Sequence, residues 1–232
     1  MRKTQELYYL IGEGLLGSRI KEILLKNKKT VISQDKNLPK LSKGELDTIN
    51  PNIVKKIFIL YFAGPKYEKD LQNKSAENIY RNIDNYLSQF YNNSKYEIIY
   101  ANSSSILPEY KEAEINNTYK KYNSYFLATS KLASNFYNLF IPYIYPSYPQ
   151  DENSLYTKIK KNRYYIKEED QKKIIPIMSL EKFGYETFQK ILKIKRKENI
   201  QKNDIGKNIG LYRNNINLPL GIFRTLILKG TI

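Results

Sequence analysis

The chain has 232 residues, 41% of them hydrophobic, which suits one large domain, or one domain with a small appendage, around a packed core. Its formal net charge is +16, but the lysines are spread along the chain among abundant Asn, Ile and Tyr, as an AT-rich coding sequence gives, and no recognition motif accompanies them, which argues against a nucleic-acid partner. Cysteine and histidine are both absent, which excludes disulfides, thiolate nucleophiles, zinc-finger sites and His-dependent triads; chemistry here must use Tyr, Lys, Ser/Thr, carboxylates or a cofactor.

Residues 7–11 (LYYLI) read as a buried strand and 15–26 (LLGSRIKEILLK) as a helix, with Leu16, Ile20, Ile23 and Leu24 at helical spacing. A second strand is expected at 29–33, then an irregular stretch to 55 around Pro39, Gly44 and Pro51 with room for a short helix. IFILYFA (57–63) is apolar throughout, as in a strand covered by helices on both faces. Ser75 is positioned to cap the next helix, whose apolar stripe is Ile79, Ile83, Leu87 and Phe90. YEIIYA (96–101) reads as a strand and 106–121 as a polar, turn-rich segment. A helix is expected from about 124 to 139, with Ala128, Leu132, Phe136 and Phe140 four residues apart, followed by a strand at 140–145 and a Pro-rich loop. IIPIMS (174–179) reads as a strand and 180–195 as a helix, while 217–230 is apolar and fits either. Alternating strands and helices predict an α/β fold with a doubly wound, Rossmann-like parallel sheet and a small, reduced C-terminal substrate region. No apolar run approaches the ~18–20 residues that span a bilayer, and the run after the basic N-terminus is too short for a signal peptide, so a cytoplasmic protein with no membrane partner is expected.

The stretch YYLIGEGLLGSRI carries glycines at 12, 14 and 17 between a strand and a helix, with a second strand following. In this arrangement Gly12 lets the strand turn sharply, Gly14 lets a diphosphate approach the backbone, and Gly17 lets helix and strand pack closely. The first helical residues, Leu15, Leu16 and Gly17, then offer unpaired N–H groups and a positive dipole end to phosphate. Asp35, just past the second strand, is positioned to accept hydrogen bonds from a ribose diol and to repel a 2′-phosphate, which favours NAD over NADP.

The string GEGLLGSRI resembles the glycine-rich opening of the extended short-chain dehydrogenase/reductase family, whose members include sugar-nucleotide epimerases, dehydratases and reductases. Further resemblances follow in order: LYFAG (60–64) to the strand end that lines the cofactor site, with Ala63 and Gly64; IIYANSSSI (98–106) to the strand whose hydroxyl supports catalysis, with Ser103 the best match; and TSKLASNFY (129–137) to the catalytic helix, with Lys131 in the lysine position. YIYPSYP (143–149) and 174–192 echo later family segments. The resemblance implies that Ser103 binds the reacting hydroxyl, that Lys131 holds the nicotinamide ribose, that residues 1–150 form the dinucleotide-binding domain, and that 151–232 form a small C-terminal region partly packed on it. It also implies a nucleotide-sugar-like small molecule as substrate and a homodimer formed through the helices around 75–92 and 124–139.

One departure bears on chemistry. The family's acid/base is a tyrosine one helical turn before the lysine, and position 127 is leucine, which carries no proton. Tyr125 lies about 120° round the helix from Lys131, and Tyr156 with Lys160 forms a Y-x-x-x-K string that reads as coincidence. Two readings stand: an NAD-dependent enzyme acting on a nucleotide-linked sugar, and a non-catalytic dinucleotide-binding pseudoenzyme or regulatory subunit.

Overall fold

Strand β1 (Gln5–Ile11) is buried on both faces: Leu7, Tyr9 and Ile11 point into one layer of core, Tyr8 and Leu10 into the other. The same alternation continues in β3 (Val54–Tyr61), with Ile57, Ile59 and Tyr61 against Phe58 and Leu60, and in β4 (Tyr96–Ser103), with Ile98 and Tyr100 against Ile99. With β2 (Thr30–Gln34), β5 (Phe136–Ile141) and β8 (Asn208–Gly210), these strands form a six-stranded, all-parallel sheet in the order β2-β1-β3-β4-β5-β8. The computed structural model describes residues 5–35, 39–63, 74–103, 117–145, 155–196, 208–210 and 216–231.

Helices cover both faces. On one, α1 (Leu15–Lys26) buries Ile20 and Leu24 beside α6 (Leu180–Arg196), which buries Phe183, Phe188, Ile191 and Ile194. On the other lie α3 (Lys74–Ser88), through Tyr80, Ile83 and Leu87, and α4 (Asn117–Leu132), through Phe126. The fold is thus doubly wound α/β. Its topological switch point falls at β1, which pairs with β2 on one side and β3 on the other. Helix α2 (Lys43–Thr48) occupies the link from β2 to β3 and starts at a capping box, Ser42 accepting from the Glu45 N–H while the Glu45 carboxylate accepts from the Ser42 N–H.

The C-terminal segment is interlaced with this sheet. After β5 the chain leaves through Pro142 into β6 (Tyr143–Tyr145), which joins a three-stranded sheet with β7 (Ile174–Ser179) and β9 (Ile216–Pro219). Helices α5 (Leu155–Lys160) and α7 (Leu220–Leu228) pack there around Ile159, Ile166, Ile177, Leu220, Phe223 and Ile227. Between these elements the same segment supplies α6 and β8 to the main sheet.

The structure corrects two local expectations. The helix expected over 124–139 runs from Asn117 to Leu132, and Phe136 and Phe140 belong to β5. A four-residue spacing fits either element when a strand is buried on both faces, and Phe136, Tyr137, Asn138, Leu139 and Phe140 are all buried. What ends the helix is Asn135, whose amide donates to the backbone oxygens of Phe90 (2.8 Å), Asn93 (3.2 Å) and Tyr96 (3.1 Å) while its side-chain oxygen accepts from the Asn92 N–H (2.8 Å). The buried face of α4 therefore holds Asn123, Phe126 and Ser130, and Leu132 is 83% exposed. Ser75 is not a cap, because α3 already starts at Lys74.

Candidate functional site

Because every strand of the main sheet is parallel, all of their C-terminal ends meet at one edge. The glycine turn sits there. Gly12 has φ +99°, a region L side chains avoid, and a Cβ on it would lie 2.6 Å from the Ala63 backbone nitrogen and 2.8 Å from the Phe62 carbonyl carbon. Its N–H donates to the Gln34 carbonyl (2.9 Å) and the Phe62 N–H donates to the Ile11 carbonyl (2.8 Å), so the turn is tied to the ends of β2 and β3 together. Gly17 faces back onto the Gly12 carbonyl, where a side chain has no room. Both glycines are thus explained by the protein's own backbone.

Gly14 differs. It is exposed at the N-cap of α1 with φ −67° and ψ −168°, which any residue adopts, and a Cβ there would meet nothing within 4 Å. The open space lies against the first turn of α1, where helix geometry leaves the Leu15, Leu16 and Gly17 N–H groups without intrahelical acceptors; the first intrahelical bond runs from the Ser18 N–H to the Gly14 carbonyl (2.9 Å). A diphosphate fits these features: it needs amide donors, a positive dipole end and a surface without a side chain.

The strand ends place most of the sequence-derived residues in a row. Asp35 follows β2 and is exposed, Gly12 follows β1, Ala63 closes the end of β3 and is buried, and Ser103 is the last residue of β4, backbone-paired with Ile141. Neighbouring strands are about 4.8 Å apart, so the row from β2 to β4 covers about 14 Å. Gly64 lies outside the described residues.

Lys131 is not in that row. Two hydrogen bonds fix the level of α4 against the sheet: the Asn102 amide donates to the Asn123 carbonyl (3.1 Å), near the C-terminal edge of the sheet, and the Asn138 amide donates to the Phe126 carbonyl (2.9 Å), halfway down. Lys131 is a turn lower still, exposed in the last turn of α4, just before β5 starts at Phe136. β5 runs from there to the C-terminal edge of the sheet over about 16 Å. Lys131 thus lies at the end of α4 away from that edge, and Leu127 is half-buried between the two levels. The part of α4 that reaches the edge is its N-terminal half, residues 117–123.

Sequence reasoning missed two features of the site. The first is a buried polar anchor beside the end of β2: the Tyr9 hydroxyl donates to the Gln34 side chain and accepts from the N–H groups of Lys40 (3.2 Å) and Leu41 (3.2 Å), and the Tyr86 hydroxyl donates to the Leu41 carbonyl (2.9 Å). Burial pushes the Tyr9 phenol up, so it remains a neutral donor. The second is Glu13, inside the glycine turn, whose carboxylate accepts from Lys21 Nζ at 2.8 Å; hydrogen bonds from Lys21 and Ser33 hold it below the usual carboxylate range. The E in GEG was its only sequence signal.

A doubly wound parallel sheet with a glycine turn at its switch point defines a Rossmann-like α/β fold. No family sequence model matches the chain, and no curated protein is significantly similar to it in sequence. Solved structures do share its fold. TunA, an NAD-dependent NDP-hexosamine 5,6-dehydratase involved in tunicamycin biosynthesis, superposes with a TM-score of 0.69 at 9% identity over 97% of this chain and 81% of its own. A dTDP-4-dehydrorhamnose reductase from Bacillus anthracis, in complex with NADP, gives 0.62 at 15% identity over 100% and 82%. A GDP-L-fucose synthetase from Naegleria fowleri gives 0.60 at 10% identity over 99% and 78%. The likeness is one of fold, and it extends through the C-terminal segment as well as the main sheet. Among the described residues no helix is long and apolar enough to cross a membrane.

Proposed function

We propose that this protein binds a nicotinamide dinucleotide, NAD in preference to NADP, and acts on a nucleotide-linked sugar in the manner of the extended short-chain dehydrogenases/reductases. The observation that carries the reading is Gly14: a glycine at a helix N-terminus, with no protein neighbour that requires it, at the switch point of a parallel sheet. In this reading the adenosine ribose lies at Asp35, the diphosphate at Gly12, Gly14, Leu15, Leu16 and Gly17, and the nicotinamide half beyond Ala63 toward Ser103, an order that the sequence of strand ends supports. When bound, the dinucleotide supplies hydride transfer. The chain's own contribution is to hold the diphosphate on backbone N–H groups, to orient the ribose, and to offer the Ser103 hydroxyl to the reacting group of the sugar.

Three sugar-nucleotide enzymes with this fold support the substrate class, one of them NAD-dependent and one bound to NADP. The segment that forms β6, β7, β9, α5 and α7 gives the sugar nucleotide a second wall beyond β5. A homodimer through α3 and α4 belongs to the same reading; α4 presents Tyr125 and Leu132 outward, both exposed. The test is thermal unfolding with millimolar NADH, alone and with UDP-, dTDP- and GDP-linked sugars. A rise in midpoint with NADH, increased further by one sugar-nucleotide class, supports the proposal. No response to NADH at millimolar concentration overturns it.

A further inference from the structure

The glycine turn contains a charge that diphosphate binding does not call for. Glu13 stands between Gly12 and Gly14, and its carboxylate is turned along the sheet toward β2, where Lys21 of α1 holds it at 2.8 Å and Ser33 of β2 bonds it. The backbone joins this carboxylate to a second one. The Gly12 N–H is bonded to the Gln34 carbonyl at 2.9 Å, and Glu13 and Asp35 each follow one member of that bonded pair. Two acidic residues therefore flank the end of β2.

We propose that Glu13, together with Asp35, is a specificity determinant that rejects a 2′-phosphate on the adenosine ribose. This rests on the dinucleotide reading of the glycine turn. A 2′-phosphate carries close to two negative charges and would enter a corner that already holds two carboxylates. A free 2′-hydroxyl is instead a donor that a carboxylate accepts. The hydrogen bonds from Lys21 and Ser33 keep Glu13 ionised at neutral pH, so its charge is present whenever the cofactor binds. Lys21 would favour a 2′-phosphate if it were free, and Glu13 engages it at 2.8 Å. Glu13 thus contributes one negative charge, which offsets that of Lys21.

The experiment is calorimetric titration of the whole chain and its variants with NADH and NADPH, and with AMP and 2′,5′-ADP as fragments without the nicotinamide half. The wild type is expected to bind NADH more tightly than NADPH, and AMP more tightly than 2′,5′-ADP. Glu13→Gln, which keeps the side chain's size and frees Lys21, is expected to raise NADPH affinity about tenfold while NADH affinity stays within about threefold. Lys21→Ala leaves Glu13 unneutralised and should move the NADPH-to-NADH ratio the other way. A role in stability alone would change both affinities together and leave the ratio fixed. Wild-type binding of NADH with a ratio unmoved by Glu13→Gln overturns this inference and leaves the dinucleotide site standing. Binding of neither dinucleotide by the wild type overturns both.

Discussion

Replacing Gly12 and Gly14 separately by alanine distinguishes a turn that shapes the protein from a surface that receives a ligand. At Gly12 the added Cβ would lie 2.6 Å from the Ala63 nitrogen, against the 3.4 Å at which ordinary contact begins, so the end of β3 must move by about 0.8 Å. Both partners are backbone, in strands paired from Glu6 to Ile11, and no rotamer change relieves the contact. Overpacking of this kind costs about 1–3 kcal/mol, and an L residue held at φ +99° costs about 1 kcal/mol more. A total near 3 kcal/mol lowers the unfolding midpoint of a chain this long by about 6–12 °C. At Gly14 the backbone is already in a region alanine adopts and the Cβ meets nothing within 4 Å. The cost there is the weaker N-cap, about 0.5 kcal/mol. Its methyl group would fill the space assigned to the diphosphate, and NADH affinity is expected to fall at least about tenfold. Differential scanning calorimetry and NADH titration of both variants read the two quantities independently. Gly14→Ala binding NADH as tightly as the wild type would falsify the placement of the diphosphate. Gly12→Ala melting with the wild type would refute the account of the turn.

Three further outcomes follow from the same geometry. Asn138→Ala leaves the Phe126 carbonyl and one Asn102 donor without that partner inside the core, and should cost about 2–3 kcal/mol in chemical denaturation, with urea midpoints as the readout. Burial would raise the Asp47 carboxyl, but hydrogen bonds from Lys95, Tyr96 and Lys43 hold it at about 2. Its folded pKa is depressed, so its contribution to stability is complete above about pH 4 and is lost as pH falls toward 2. Asp47→Asn should therefore flatten the acid side of the stability profile, and a profile as steep as the wild type's between pH 4 and 2 would remove Asp47 as its cause. Lys131→Ala should leave NADH affinity within about twofold, because its level on α4 is the far end of the sheet; a tenfold loss in fluorescence titration would return Lys131 to the site.

The strands of the main sheet were readable in the sequence where burial on both faces leaves an unbroken apolar run, as in LYYLI and IFILY, and the glycine turn was readable because its spacing, flanking strand and following helix coincide. Helix α4 was misread because it is amphipathic through polar residues. Asn123 and Ser130 face inward and Leu132 faces out, so apolar periodicity pointed to the wrong stripe and carried the helix into a strand. The helix stop depended on Asn135 bonding three carbonyls from a segment some 40 residues earlier, a long-range contact that local spacing does not encode. Lys131 was read from the likeness of TSKLASNFY to the family's helix motif, and the structure sets that string at the end of α4 next to the start of β5. Glu13 went unremarked because its meaning depends on Lys21 and Ser33, neither within its own turn. The interlacing of α6 and β8 with the main sheet has the same origin: each is an ordinary element in sequence, and only the strand order assigns it to a layer.

The central claim is that the backbone of residues 14–17 grips a diphosphate at the C-terminal edge of the parallel sheet. Its most direct test is a crystal structure of the chain soaked with NADH. The expected result is a diphosphate within hydrogen-bond distance of the first-turn N–H groups of α1, with the adenosine ribose diol against Asp35 and the nicotinamide directed past Ala63 toward Ser103. Density for the dinucleotide anywhere else, or a diphosphate that leaves those N–H groups facing solvent, would contradict the account.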